Sequence, residues 1–291
     1  MTEVDDEDGS LVALVGATGG AGTTRTGVEL ATTLARDGRS VLVVDAAFAT
    51  QGLSEYVAGR ISPDVTALVT DETNAPVHSA TIELSTSGRG LDDDAQQSFG
   101  TVELLPAYAP FERLARAKTP AAAERFEELL ADAADGFDHA IVDVPPVASN
   151  QAIAAVTAAD TVVAVRPADD HGTDAVVRLR DRLAALDVPI DVAVAVCSHP
   201  GSADSSSGGS TSGGSTSVDP STQDLSLPET DPSPHDAPSC LADDRYGEAL
   251  VDLAEVAFGV TLSVAFESAG VRDRLAAAVT ERVESNATDG S

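Results

Sequence analysis

Near its N-terminus the chain passes within a few residues from a short apolar run to a glycine-rich turn and then to a helical pattern, an order that few folds accommodate. Residues 11–15, Leu-Val-Ala-Leu-Val, are apolar without alternation, which predicts a strand covered on both faces. Residues 16–22 contain Gly16, Gly19, Gly20 and Gly22 and predict a tight loop. Over residues 24–37, Val28, Leu30, Ala31 and Leu34 recur at helical spacing, and Gly38 stops that helix. A second apolar run, residues 41–44, ends at Asp45. Strand, loop, helix and strand form one βαβ unit, the connection that joins parallel strands.

The alternation continues. Strands are expected at residues 101–105, 140–144, 161–165 and 192–196, and helices at 121–134, 152–158 and 173–186. Such a series predicts an α/β fold: a mostly parallel central sheet with helices on both faces, a three-layer sandwich. The domain begins at residue 11 after an acidic, disordered tail, residues 1–10, and runs to residue 197. Residues 78–100, rich in Ser, Thr, Gly and Asp, read as a variable surface insertion. Residues 198–223 are a Ser/Gly/Thr/Asp tract with too little apolar surface to offset its ordering entropy, hence a flexible linker that folding can dispense with. Residues 224–285 complete the same domain with a short strand at 225–227 and helices at 246–258 and 271–283, and residues 286–291 form a second disordered tail.

Composition narrows the setting more than the activity. Asp and Glu number 48 against 17 Lys and Arg, the formal charge is −31, and Lys118 is the single lysine. That balance is expected of a protein kept soluble at molar salt, as in an extreme halophile of the archaeal kind, so it says little about any one partner. It argues against direct DNA binding and against an anionic membrane surface, both of which call for clustered Lys and Arg. Residues 272–283 are amphipathic, but their polar side mixes both charge signs and carries no large aromatic, which favours core packing over membrane insertion. Cys197 and Cys240 lack the spacing of a metal cluster or a disulfide framework. His139 and His171 have no serine or carboxylate partner visible in sequence and read as packing or surface residues. No signal segment or membrane-length apolar stretch is present, so a cytoplasmic location is expected.

The loop Ala17-Thr18-Gly19-Gly20-Ala21-Gly22-Thr23-Thr24 resembles the deviant Walker A motif, G-K-G-G-x-G-K-T, of the ParA/MinD family of P-loop ATPases. Other segments resemble the family's landmarks. Residues 41–45 are similar to its strand ending in D-x-D, residues 104–107 to its third core strand, and Phe137-Asp138-His139-Ala140-Ile141-Val142-Asp143-Val144-Pro145-Pro146 to its Walker B and switch segment. The resemblance implies a nucleotide or phosphate site made by Gly19, Gly20, Ala21, Gly22, Thr23, Thr24 and Arg25, with ATP and Mg²⁺ as cofactors. It implies Thr24 and Asp143 as metal-holding residues, Asp45 as a further candidate, and a homodimer or another protein as partner.

The departures from the family pattern bear on activity. Thr18 and Thr23 stand where the family has its two lysines, Ala17 replaces the first glycine, and Ala47 replaces the second acid of D-x-D. Cys197-Ser198 follows the strand after which the family carries a base-reading Asn-Arg pair. The expectation is a degenerate site that binds phosphate weakly and hydrolyses ATP negligibly, in a regulatory or positioning module. The alternative is an active ATPase of chromosome partitioning or cellular positioning. Cluster cysteines of an iron protein and a tyrosine-rich kinase tail are both missing from the sequence.

Overall fold

A computed structural model describes residues 9–86, 97–146, 148–197, 222–231, 233–264 and 266. Its strands are β1 (Ser10–Gly16), β2 (Ser40–Asp45), β3 (Ile82–Glu83), β4 (Thr101–Leu105), β5 (His139–Val144), β6 (Thr161–Pro167), β7 (Val192–Val196) and β8 (Gln223–Leu227). The α-helices are α1 (Thr23–Arg36), α2 (Val65–Val69), α3 (Phe111–Ala117), α4 (Pro120–Gly136), α5 (Asn150–Ala158), α6 (Asp170–Ala184) and α7 (Asp244–Phe258). The strands form one sheet in the order β3-β4-β2-β5-β1-β6-β7-β8, parallel throughout except for β3, which runs antiparallel to β4. The α/β sandwich expected from the alternation is the fold observed.

Unbroken apolar runs are what a sheet covered on both faces requires, and the side chains divide by parity. Val12, Leu14, Val41, Val43, Ile141 and Val163 face α1 and α7, meeting Leu30, Leu34, Leu250 and Leu253. Leu11, Ala13, Leu42, Val44, Ala140 and Val142 face the opposite layer, α2 to α6, around Phe126, Leu130, Val156 and Leu179. Full burial of one such Leu or Val stabilises by about 1.5–3 kcal/mol, so the two layers supply the main favourable term.

Several boundaries shift for local reasons. β1 starts at Ser10, inside the expected tail, because Ser10 pairs in register with His139 and its hydroxyl lies 2.7 Å from His139 Nδ1. Helix α6 starts at Asp170, earlier than the apolar pattern suggests, since the Asp169 carboxylate caps it by accepting from the Gly172 N–H at 2.6 Å. The expected insertion at residues 78–100 contributes β3: Ile82 and Glu83 pair with Leu104 and Glu103, and Leu84 is buried beyond them. Polar composition masks a two-residue alternation there. Helices α2 and α3 were too short for a periodic signal.

The far end of the expected linker shifts. Because β7 and β8 are parallel neighbours, with Val192 opposite Gln223, the chain leaving the C-terminal end of β7 must return to the N-terminal end of β8. A parallel crossover takes a dozen or more residues, so a connection of about that length is needed between the two strands. Residues 222 and 223 are themselves structural: Thr222 donates to the Ile190 carbonyl at 3.1 Å and Gln223 opens β8. The expected tails over residues 1–8 and 286–291, the helix at 271–283 and most of the linker lie outside the described residues.

Candidate functional site

Strands β1, β2 and β5 lie side by side and deliver Gly16, Asp45 and Asp143 to the same edge of the sheet, where ligands of open parallel sheets bind. A cleft of about 380 Å³ opens there, lined by Thr18–Arg25 of the loop and by Ala47, Thr50, Gly52, Glu55, Tyr56, Asp143, Val144, Pro145, Pro146 and Pro234.

The loop keeps the backbone shape of an anion cradle. Ala17 anchors it by donating to the Val165 carbonyl at 2.8 Å. Gly20 and Gly22 then take left-handed conformations, φ 73° and 87°, which a side chain would strain. A Cβ on Gly16 would stand 2.8 Å from the Thr23 hydroxyl and 3.3 Å from the Thr18 carbonyl oxygen, so a side chain there would push the Thr23 hydroxyl aside and crowd the loop against β1. Gly22 is the N-cap of α1, and α1 alone among the described α-helices has neither a side-chain cap nor an acid in its first turn. Its first N–H groups and the positive end of its dipole are left to whatever occupies the cleft.

Of the candidate site residues, Gly19 and Gly20 are exposed, Gly22, Thr23 and Thr24 are half-buried, and Ala21 is buried with the core. Thr24 donates its hydroxyl to Asp143 Oδ2 at 2.5 Å, which brings the two proposed metal-holding residues together. Asp45 and Asp143 are register partners on β2 and β5 and are almost fully buried. Asp45 accepts from the N–H of Ala47 at 2.7 Å and of Ala107 at 3.3 Å. Burial pushes the Asp45 carboxyl well above the usual range, and the Asp143 charge beside it adds to that. Burial likewise raises Asp143, opposed by the hydrogen bond from Thr24. Two adjacent buried carboxyls are stabilised by a shared proton or by a bound cation.

The donors are all hard oxygens, which suits Mg²⁺ better than a soft metal. They are also few: among the described residues no group of three or more His, Cys, Asp or Glu could hold a metal unaided. The set fits an ion that completes its shell with phosphate oxygens and water.

Arg25 is the one cation lining the cleft among the described residues, and its guanidinium is already engaged. Nε donates to Glu29 Oε1 at 2.6 Å, one terminal nitrogen to the Ser233 carbonyl at 2.7 Å and the other to Ser239 Oγ at 2.6 Å. Glu29 is fully buried and also accepts from the N–H of Ser239 and Cys240, at 2.7 and 2.9 Å. Sequence reasoning missed Glu29, Tyr56, Ser233, Pro234 and Ser239. The available signal was an Arg and a Glu four apart on one helix, which gave no hint of a partner two hundred residues on. Ala47 lies against the cleft and offers it no side-chain charge.

The sequence matches the AAA domain family AAA_31 over residues 9–188. No curated protein matches it. Among solved structures, the septum site-determining protein MinD of Pyrococcus horikoshii OT3, complexed with Mg-ADP, aligns with a TM-score of 0.61 and 16% identity over 84% of this chain and 94% of that one. MinD in the MinC:MinD cell division complex of Aquifex aeolicus gives 0.61 and 17% over 88% and 98%. A ParA family ATPase of Chlorobium tepidum TLS gives 0.59 and 17% over 85% and 98%. At such identities the likeness is one of fold. Taken with the family match across most of the sheet and the glycine loop facing Asp143, it leads to one assignment: the chain belongs to the AAA_31 AAA domain family and shares the fold of the MinD and ParA family ATPases.

Proposed function

We propose that the protein is a phosphate-sensing P-loop module that binds nucleotide weakly, hydrolyses it negligibly and acts through a protein partner or a second copy of itself. One observation carries this reading: the loop has the backbone of a phosphate cradle, but Thr18 and Thr23 occupy the lysine positions and Arg25 is turned into a buried network. Gly19 to Thr24 would contact phosphate oxygens through main-chain N–H groups. Thr24 and Asp143, with Asp45 behind them, would hold Mg²⁺, which when bound supplies the positive charge that the loop lacks. Transition-state charge on a transferred phosphoryl group would have no ammonium to meet it. Loss of such a group typically lowers rates by a factor of about a hundred to a thousand. Ala47 further removes a side chain that could orient the attacking water.

The rival reading, an active ATPase, draws on the Thr24–Asp143 hydrogen bond and on the retention of Asp45. Calorimetry with ATP, ADP and GTP in molar KCl with Mg²⁺, joined to a steady-state phosphate-release assay, separates the two. Weak binding without turnover is expected. Robust turnover that Asp143→Ala abolishes would establish the ATPase instead.

A further inference from the structure

Two single-turn helices meet over the first turn of α1: Gly52–Tyr56, which follows β2, and Pro234–Asp236, which follows β8. Each contributes to the cleft wall, Gly52 and Tyr56 from one and Pro234 from the other. A Cβ on Gly52 would stand 3.2 Å from the Thr24 hydroxyl oxygen, so the first of these turns rests directly on the loop. The second belongs to a strap, residues 233–241, far from α1 in sequence. Side chains from α1 fasten it there: Arg25 reaches the Ser233 carbonyl and Ser239 Oγ, while Glu29 takes the N–H groups of Ser239 and Cys240.

We propose that Arg25 and Glu29 form a clamp that couples the strap to the phosphate loop, making Arg25 a positioning residue and not a phosphate ligand. The inference rests on the cradle proposed above and adds to it a moving wall. Arg25 directly follows Thr24, so an anion that fixes the N-terminus of α1 also fixes the root of the Arg25 side chain. Its planar fork then transmits that order to two points of the strap, a geometry that the single ammonium of a lysine cannot reproduce. Glu29 keeps two main-chain donors when Arg25 is absent, so the buried carboxylate retains support and the Arg25 arm can be removed without unfolding the helix. Tyr56 lies in the same cluster; burial pushes its hydroxyl up to about 12, so it stays neutral against Arg25 and Glu29. Coupling works in both directions: an ordered strap favours the occupied cradle as much as occupancy favours the ordered strap.

The test is amide hydrogen exchange on the full chain in molar KCl, with and without Mg²⁺ and pyrophosphate, for the wild type, Arg25→Ala and Arg25→Lys. In the wild type, ligand is expected to slow exchange about fivefold or more both at the loop amides of residues 20–24 and at Ser239 and Cys240. In Arg25→Ala the loop response should remain while the strap response disappears, with faster strap exchange even without ligand. Arg25→Lys keeps a charge beside Glu29, which guards against a variant that fails to fold, and should also lose the strap response. A wild-type loop that responds without the strap overturns the clamp and leaves the cradle standing. Loss of the loop response in Arg25→Ala makes Arg25 a ligand, and full rescue by lysine reduces the clamp to a charge effect; both overturn the proposal. No response at either place removes clamp and cradle together.

Discussion

Replacing His139 by Phe should abolish a defined part of the acid sensitivity of folding. His139 opens β5, is 5% exposed and sits with its ring 4.8 Å from that of Phe258. Nδ1 meets the Ser10 hydroxyl at 2.7 Å, and Nε2 is buried with no hydrogen-bond partner among the described residues. Its pKa is lowered from 6.5 to about 4, chiefly by burial, with Arg39 adding to the shift and Asp138 opposing it. The folded value thus lies below the unfolded one. Above pH 6.5 both states hold a neutral ring and the residue has no pH effect. As pH falls from there to about 4, the unfolded chain takes up a proton that the folded chain refuses, so stability declines. At 1.36 kcal/mol per unit the full shift corresponds to about 3 kcal/mol, nearly all lost by pH 4. The assay is the denaturant midpoint of wild type and His139→Phe between pH 4 and 8 at constant salt. The difference between them cancels the many carboxylates, and the lost Ser10 contact enters only as a pH-independent offset of about 1 kcal/mol. The wild type should lose about 2–3 kcal/mol relative to the variant across that window. A flat difference, or an imidazole that titrates near pH 6.5 in the folded protein, refutes the argument.

The loop and the linker provide further tests. Gly22→Ala places a Cβ in ordinary contact, 3.6 Å from Val196, but at φ 87°, so strain and not crowding should cost about 1–2 kcal/mol in unfolding free energy and weaken pyrophosphate binding. Thr18→Lys with Thr23→Lys should tighten ATP binding by about tenfold or more, since each ammonium can add a charged hydrogen bond to a cradle already shaped for phosphate. If calorimetry still detects no ATP, the loop has drifted out of phosphate geometry. Shortening residues 198–221 to about a dozen should leave thermal unfolding nearly unchanged, whereas removing all of them should strip β8 from the sheet and lower the midpoint sharply.

Much of this architecture is determined by local pattern. Short unbroken apolar runs bounded by turn signals, such as residues 11–15 and 41–44, read as strands buried on both faces, and a glycine turn between strand and helix has a backbone suited to anions. The missing lysines are equally a fact of sequence, because a side chain that is absent at Thr18 or Thr23 needs no fold to reveal its absence. Where partners lie far apart along the chain, only the tertiary structure decided. That Asp45 and Asp143 share a register, that Ser10 lies against His139, and that β8 runs parallel to β7 all follow from strand order, which no local signal encodes. Arg25 shows the difference most directly. Its place in the sequence, just past the loop, made it a candidate phosphate-binding residue, yet its guanidinium is held by a buried Glu29 and by a strap more than two hundred residues away, through three short hydrogen bonds.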